Sequence, residues 1–159
     1  HVPLAVIGDT DILAAAPMEM ITAGLGDILG KYTCLLDWKM AHIITGEYYC
    51  KTIADMVKEA VEIVVEESTR IKDRNPDAVK AVTEALVLSG IAMSFVGNSR
   101  PASGSEHHLS HYWEMKFQAE GKKPILHGIK VGIGMIAVTK MYETLENEQF
   151  DFTCRNRSR

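Results

Sequence analysis

Apolar and polar positions recur along most of this chain with the period of an α-helix, and almost nowhere with the period of a strand. The exception comes first: Leu4 to Ile7 is a short apolar run that reads as a strand, and Gly8-Asp9-Thr10-Asp11 reads as the turn after it. Pro17 suits the first turn of a short helix through Ile21, after which Gly24 and Gly26 interrupt the pattern. From Asp27 to about Ile44 the spacing of Ile28, Lys31, Leu35, Trp38 and His42 is helical, with Gly46 as terminator. A long amphipathic helix follows from about Tyr48 to Ile71, with Ile53, Val57, Ala60, Val64, Glu67 and Ile71 forming most of one stripe and charged residues opposite.

Asn75-Pro76-Asp77 is a helix start, with Asn as cap and Pro at the first helical position. The helix it opens runs to about Val96 and is nearly all apolar after Ala85, which predicts deep burial. Gly97 to Gly104 is a loop by composition. Ser103 and Glu106 have capping-box spacing, so a helix carrying His107 to about Gln118 is expected next. Gly121 to Pro124 is a turn, and the last helix runs from near His127 to about Asn147. There is no internal repeat and no low-complexity segment. The pattern predicts an all-α, bundle-like domain over residues 13–159, preceded by a strand-like linker over residues 1–12.

Composition narrows the class without choosing a function. The chain has 159 residues, 47% hydrophobic and 24% charged, enough for one domain with a core. A net charge of −4 gives no field that favours nucleic acid or an acidic membrane. No apolar run reads as long enough to span a bilayer, and no signal peptide is evident. Cys34, Cys50 and Cys154 show no CxxC pairing, which fits reduced thiols and a cytoplasmic setting. The start at His1-Val2-Pro3 reads as a cut inside a longer protein.

Four features can carry chemistry. Asp27 stands among glycines in Gly24-Leu25-Gly26-Asp27-Ile28-Leu29-Gly30, where a carboxylate can approach a ligand; alone, it is an acidic residue favoured by a helix N-terminus. His107 and His111 are spaced i, i+4 and share a helix face, whereas His108 points elsewhere. His127 opens the last helix with Gly128 beside it. Lys31 lies one turn after Asp27, the spacing of a surface ion pair. One Asp and two His on three helices make a three-ligand set that leaves an open position on a catalytic metal. Zinc suits these donors, and nickel, iron and manganese also remain open.

The motifs Gly24-Leu-Gly-Asp27-Ile-Leu-Gly-Lys-Tyr, Leu35-Leu-Asp37-Trp-Lys39, Gly46-Glu-Tyr-Tyr-Cys50, Gly97-Asn-Ser-Arg-Pro-Ala-Ser-Gly-Ser-Glu-His-His-Leu-Ser-His111 and Leu126-His127-Gly128 resemble the sn-glycerol-1-phosphate dehydrogenases, in their bacterial branch. The likeness runs from about residue 2 to about residue 145, within the wider group of iron-containing alcohol dehydrogenases, glycerol dehydrogenases and dehydroquinate synthases. It implies a dehydroquinate synthase-like C-terminal helical domain that holds a metal, with residues 1–12 left over from an N-terminal α/β domain that binds NAD(P). It further implies Asp27, His107 and His127 as metal ligands for one zinc or nickel ion per chain. His111, with Asp27, would meet substrate, and His111 would be the catalytic proton-relaying group. The implied reaction is reversible reduction of dihydroxyacetone phosphate to sn-glycerol 1-phosphate, with a phosphorylated triose as small-molecule partner and a homo-oligomer as the assembly.

Two departures qualify the expectation. No glycine-rich strand–turn–helix fingerprint is present, since Gly132-Ile133-Gly134 falls inside a predicted helix; the cofactor-binding residues are unassigned and the chain alone is expected to be silent. Ile129 stands where relatives in the wider group often carry an acidic residue. A glycerol or polyol dehydrogenase with the same metal set is the alternative enzyme, and a non-catalytic helical interaction domain is the alternative class. Arg100 is a phosphate contact by charge alone, and anchoring of its own loop is the preferred role.

Overall fold

A computed structural model of the chain describes residues 3–147. The described residues form seven α-helices and no strand: α1 (Thr10–Ala15), α2 (Met18–Leu29), α3 (Lys31–Thr45), α4 (Lys51–Ile71), α5 (Pro76–Val96), α6 (Ser105–Ala119) and α7 (His127–Asn147). The all-α expectation is met. Leu4–Ile7 is corrected, because it has no partner strand among the described residues and Leu4 and Ile7 stand free in solvent. The turn expected at residues 8–11 instead becomes a helix start: Asp9 caps α1 by accepting from the amides of Asp11 and Ile12. The expected boundary between residues 12 and 13 therefore falls inside α1.

Local signals hold at several helix ends. Asn75 accepts from the amides of Asp77 and Ala78, with Pro76 in the first turn. Gly46 and Gly97 end α3 and α5 with φ of 75° and 77°, a left-handed conformation that glycine adopts without a Cβ clash. Ser103 does not cap α6. The cap is Gly104, and Glu106 reaches back to its amide at 2.8 Å, which is the glutamate half of a capping box without the serine half.

Packing is pairwise, with α2 and α6 both lying along α7, and α4 along α5. The main core joins Ile21 and Ile28 of α2 to Val61, Val64 and Ile71 of α4 and to Ala78, Val79, Val82 and Ala85 of α5. The deep burial expected for α5 is only half met, since Ile91 and Phe95 are exposed, Phe95 by 71%. One face is small and fits against α4 and α2, while the other faces outward. By length and composition α5 is apolar enough to cross a bilayer, with mean hydropathy 1.6 over its best window, which corrects the reading that no run is long enough. Core helices pass the same test, and Ala78, Val82, Ala85 and Ala92 are buried.

The glycines of α2 are the main departure from the sequence pattern. Gly24 and Gly26 do not interrupt the helix, and the break falls at Gly30, between α2 and α3. A Cβ on Gly26 would lie 2.4 Å from the Gly128 carbonyl oxygen, and one on Gly128 would lie 1.8 Å from the Ala23 carbonyl oxygen. The two helices cross backbone against backbone, and only glycine allows that approach. Gly128→Ala should therefore lower unfolding free energy by more than about 3 kcal/mol or prevent folding. Gly90→Ala, in open space within α5, should instead stabilise by about 0.5–1 kcal/mol through helix propensity. Chemical denaturation of both variants checks the contrast.

Candidate metal centre

The α2–α7 crossing places Asp27, one residue after Gly26, beside His127, one residue before Gly128. The helix α6 closes the site from a third side, because α7 again approaches by glycine: a Cβ on Gly134 would lie 2.7 Å from the Glu106 carbonyl oxygen. Asp27, His107 and His127 thereby converge from three helices. Nε2 of His107 lies 3.4 Å and Nε2 of His127 lies 3.8 Å from Oδ1 of Asp27. One ligand atom from each lies within 4.8 Å of the others, so the trio can hold a metal ion. The set fits a borderline divalent cation in donor type and count.

Each member is held from behind. Lys31 donates from Nζ to Oδ2 of Asp27 at 3.0 Å and to the Ala102 carbonyl at 2.9 Å. The pair expected at the surface is thus an interior one, with Lys31 only 2% exposed, because α3 turns it under the loop 97–104. His107 Nδ1 lies 2.7 Å from Oε1 of Glu106, and Ser110 Oγ lies 3.3 Å from His127 Nδ1. Glu106 itself, 0% exposed, also accepts from Thr33 Oγ1 at 2.6 Å. Beneath it Asp37 accepts from the Ser105 amide at 2.6 Å and from the Tyr142 hydroxyl, tying the start of α6 to α3 and α7.

Sequence reasoning missed Glu106, Thr33, Ser110 and the Asp37–Tyr142 pair as parts of the site. Glu106 was legible only as a capping residue, and the others gave no local signal. His111 stands at the rim, its side chain 59% exposed, with its ring 5.5 Å from that of His127 and 6.3 Å from that of His107. His108 leaves this cluster and borders a separate groove with Val138 and Met141. A second possible trio, His111, Glu114 and His127, is exposed throughout. Arg100 is committed to Glu47 through two 2.6 Å bonds, so it anchors its loop as preferred.

The histidines and carboxylates open into a cavity of about 460 Å³ lined also by Lys31, Ser89, Met93 and Ser103. A larger cavity of about 840 Å³, between residues 3–6 and the exposed face of α5, shares Gly90 and Met93 with it. Cys34 is a buried free thiol whose burial pushes its pKa up, and Cys50 is also free; Cys154 lies outside the described residues.

Charge within the site alternates. Burial raises the Asp27 pKa, but the hydrogen bond to His107 and the Lys31 cation outweigh it and hold the carboxyl at about 2. Burial lowers His107, yet its bonds to Asp27 and Glu106 prevail and raise it. His127 is pushed down by burial and by the His107 cation.

The sign of each shift fixes a pH dependence for the metal-free chain. Asp27 contributes stability above its ordinary value of 3.8, lost as pH falls through about 2. His107 contributes fully below its ordinary value of 6.5, and that part is lost as pH rises through its raised value. His127 opposes this in acid, since its lowered pKa makes protonation costly below 6.5. Melting temperature against pH should fall on the alkaline side in the metal-free wild type and lose that limb in His107→Gln.

An all-helical domain with an Asp/His/His trio at the mouth of a cavity defines a candidate metal-binding domain. No family model matches the chain. It is 43% identical over 141 residues to the "Glycerol-1-phosphate dehydrogenase [NAD(P)+]" of Halalkalibacterium halodurans, covering 89% of this chain and 35% of that protein. The protein of the same name from Geobacillus thermodenitrificans is also 43% identical over 141 residues, with the same coverage. The one from Methanosarcina acetivorans is 40% identical over 140 residues, 88% of this chain and 38% of that protein. Over the stretch it spans, the chain is similar to proteins of that name. It spans about a third of the length of the curated relatives it matches.

Proposed function

We propose that this chain supplies the metal-binding part of an NAD(P)-linked glycerol-1-phosphate dehydrogenase, with Asp27, His107 and His127 as ligands to one divalent ion, zinc or nickel. The observation that carries the proposal is the convergence of these three side chains, each backed by a second partner, at a cavity in a chain with such relatives. When bound, the metal polarises the ketone oxygen of dihydroxyacetone phosphate, and the nicotinamide supplies the hydride.

The chain's own residues do the rest. Lys31 keeps Asp27 ionised and turned so that Oδ1 faces the two imidazoles. Asp27 is also within reach of a substrate hydroxyl in the cavity. His111, exposed at the rim on the same face as His107, passes a proton to or from the substrate oxygen, directly or through water.

Elemental analysis of the purified chain should find close to one metal ion per chain, and none in an Asp27→Ala/His107→Ala double variant. No metal in the wild type after soaking with zinc and nickel would sink the metal reading. For the reaction, this stretch can replace the matching one in the Halalkalibacterium halodurans relative. NAD(P)H-dependent reduction of dihydroxyacetone phosphate should then persist and fall by about 100-fold or more with His111→Ala. An unchanged turnover and pH profile in that variant would remove His111 from proton transfer.

A further inference from the structure

The metal site rests on an inner carboxylate that no part of the reading above assigns. Glu106 is fully buried beneath the cluster, with an amide, an imidazole and a hydroxyl gathered around its two oxygens. An ionised carboxylate only accepts hydrogen bonds, so each contact needs a donor. Oε1 takes the Gly104 amide at 2.8 Å and the His107 ring at 2.7 Å, and Oε2 takes the Thr33 hydroxyl at 2.6 Å. The His107 nitrogen facing Glu106 is therefore Nδ1–H. The other nitrogen, Nε2, points toward Asp27 and His127, where a ligand lone pair is needed.

The geometry points to Glu106 as the positioning residue of the site: it fixes the tautomer and the plane of His107, so that Nε2 is presented unprotonated to a divalent cation held with Asp27 and His127. This rests on the metal reading of the same trio. Three features make the device rigid. Glu106 adjoins His107 in sequence, so the two side chains ride on one turn of α6. Thr33 fixes the carboxylate from α3, and its hydroxyl oxygen also lies 3.0 Å from the Gly30 carbonyl, at the joint between α2 and α3. Gly30 and Gly134 leave space around Glu106, since a Cβ on either would meet its Cγ at 3.2 Å or its backbone oxygen at 2.7 Å. His127 has a weaker counterpart, a hydroxyl at 3.3 Å, so His107 is the better oriented of the two imidazoles. Carboxylates that orient a ligating histidine raise its basicity as well as its order, and their loss lowers metal affinity without removing a ligand.

The test compares Glu106→Gln with Thr33→Val in the full chain, using zinc titration against a competing chelator and ¹⁵N NMR of the histidine rings. Glu106→Gln should weaken zinc binding by about 10- to 100-fold. Thr33→Val removes a bond to the same carboxylate but leaves Nδ1 its partner, and should keep zinc affinity within about threefold even where it lowers the melting temperature. In the metal-free chain, at alkaline pH where the rings are neutral, wild-type His107 should carry its proton on Nδ1, and Glu106→Gln should shift it toward Nε2, facing Asp27. Glu106→Asp, which keeps the charge but withdraws it by one methylene, should act in the same direction and serves if the glutamine variant does not fold. Wild-type zinc affinity together with an unchanged tautomer in a folded Glu106 variant overturns the proposal. Equal loss of affinity in Thr33→Val, in step with lost stability, overturns it too. A wild type that takes up no zinc overturns the metal reading instead, and the tautomer then still decides whether Glu106 positions His107.

Discussion

The contact between α2 and α7 is what the site depends on. Helices bearing side chains at their interface pack with axes 8–10 Å apart. Here Gly26, Gly128 and Gly132 strip the interface to backbone, and a single added Cβ would sit within bonding distance of the Ala23 carbonyl. Such an approach sacrifices side-chain burial and conformational entropy, since glycine is among the poorest helix formers. The gain is positional. Asp27 and His127 are the immediate neighbours of Gly26 and Gly128, so the closest point of the crossing is also where their ligand atoms meet. Gly134 repeats the device between α7 and α6 and brings His107 in. A bulkier interface would leave three well-formed helices and no cluster.

Charge then decides which way the side chains point. Lys31, Asp27, His107 and Glu106 follow one another through the interior as ammonium, carboxylate, imidazole and carboxylate. Burying any one of them alone would be costly, and each is tolerated because its neighbours in the row and the polar groups at the row's ends satisfy it.

What the sequence discloses about this fold is what is settled locally. Asn75-Pro76, Gly46 and Gly97 need only their own turn of chain to act, and their signals are plain. The i, i+4 spacing of His107 and His111 likewise needs only a helix. Gly24 and Gly26 mislead because a glycine that ends a helix and one that admits a second helix look alike until the partner, about 100 residues later, is in place. Glu106 misleads in a different way: its bond to the Gly104 amide is a capping bond, and its bond to His107 depends on a rotamer that only the packing of α3 selects. Leu4–Ile7 has the composition of a strand but no edge to pair with among the described residues. The grouping of Asp27 with His107 and His127 came from family resemblance and not from spacing, since the three lie on separate helices.

The two imidazoles on one face of α6 illustrate why convergence alone does not assign roles. His111, Glu114 and His127 also lie close enough to share an ion, and both trios would use His127. Burial separates them. Glu114 is already engaged by Lys130, whose Nζ lies 3.2 Å away and whose side chain is buried, so binding a metal there would have to break an ion pair that keeps a buried lysine satisfied. Asp27 faces the opposite situation: Lys31 occupies Oδ2 and leaves Oδ1 turned toward the imidazoles. Solvent competes freely for the exposed trio and less for the inner one, in which His107 is buried and Asp27 is partly so. His127 is thus drawn inward to Asp27 and His107. His111 keeps its water-facing position at the rim.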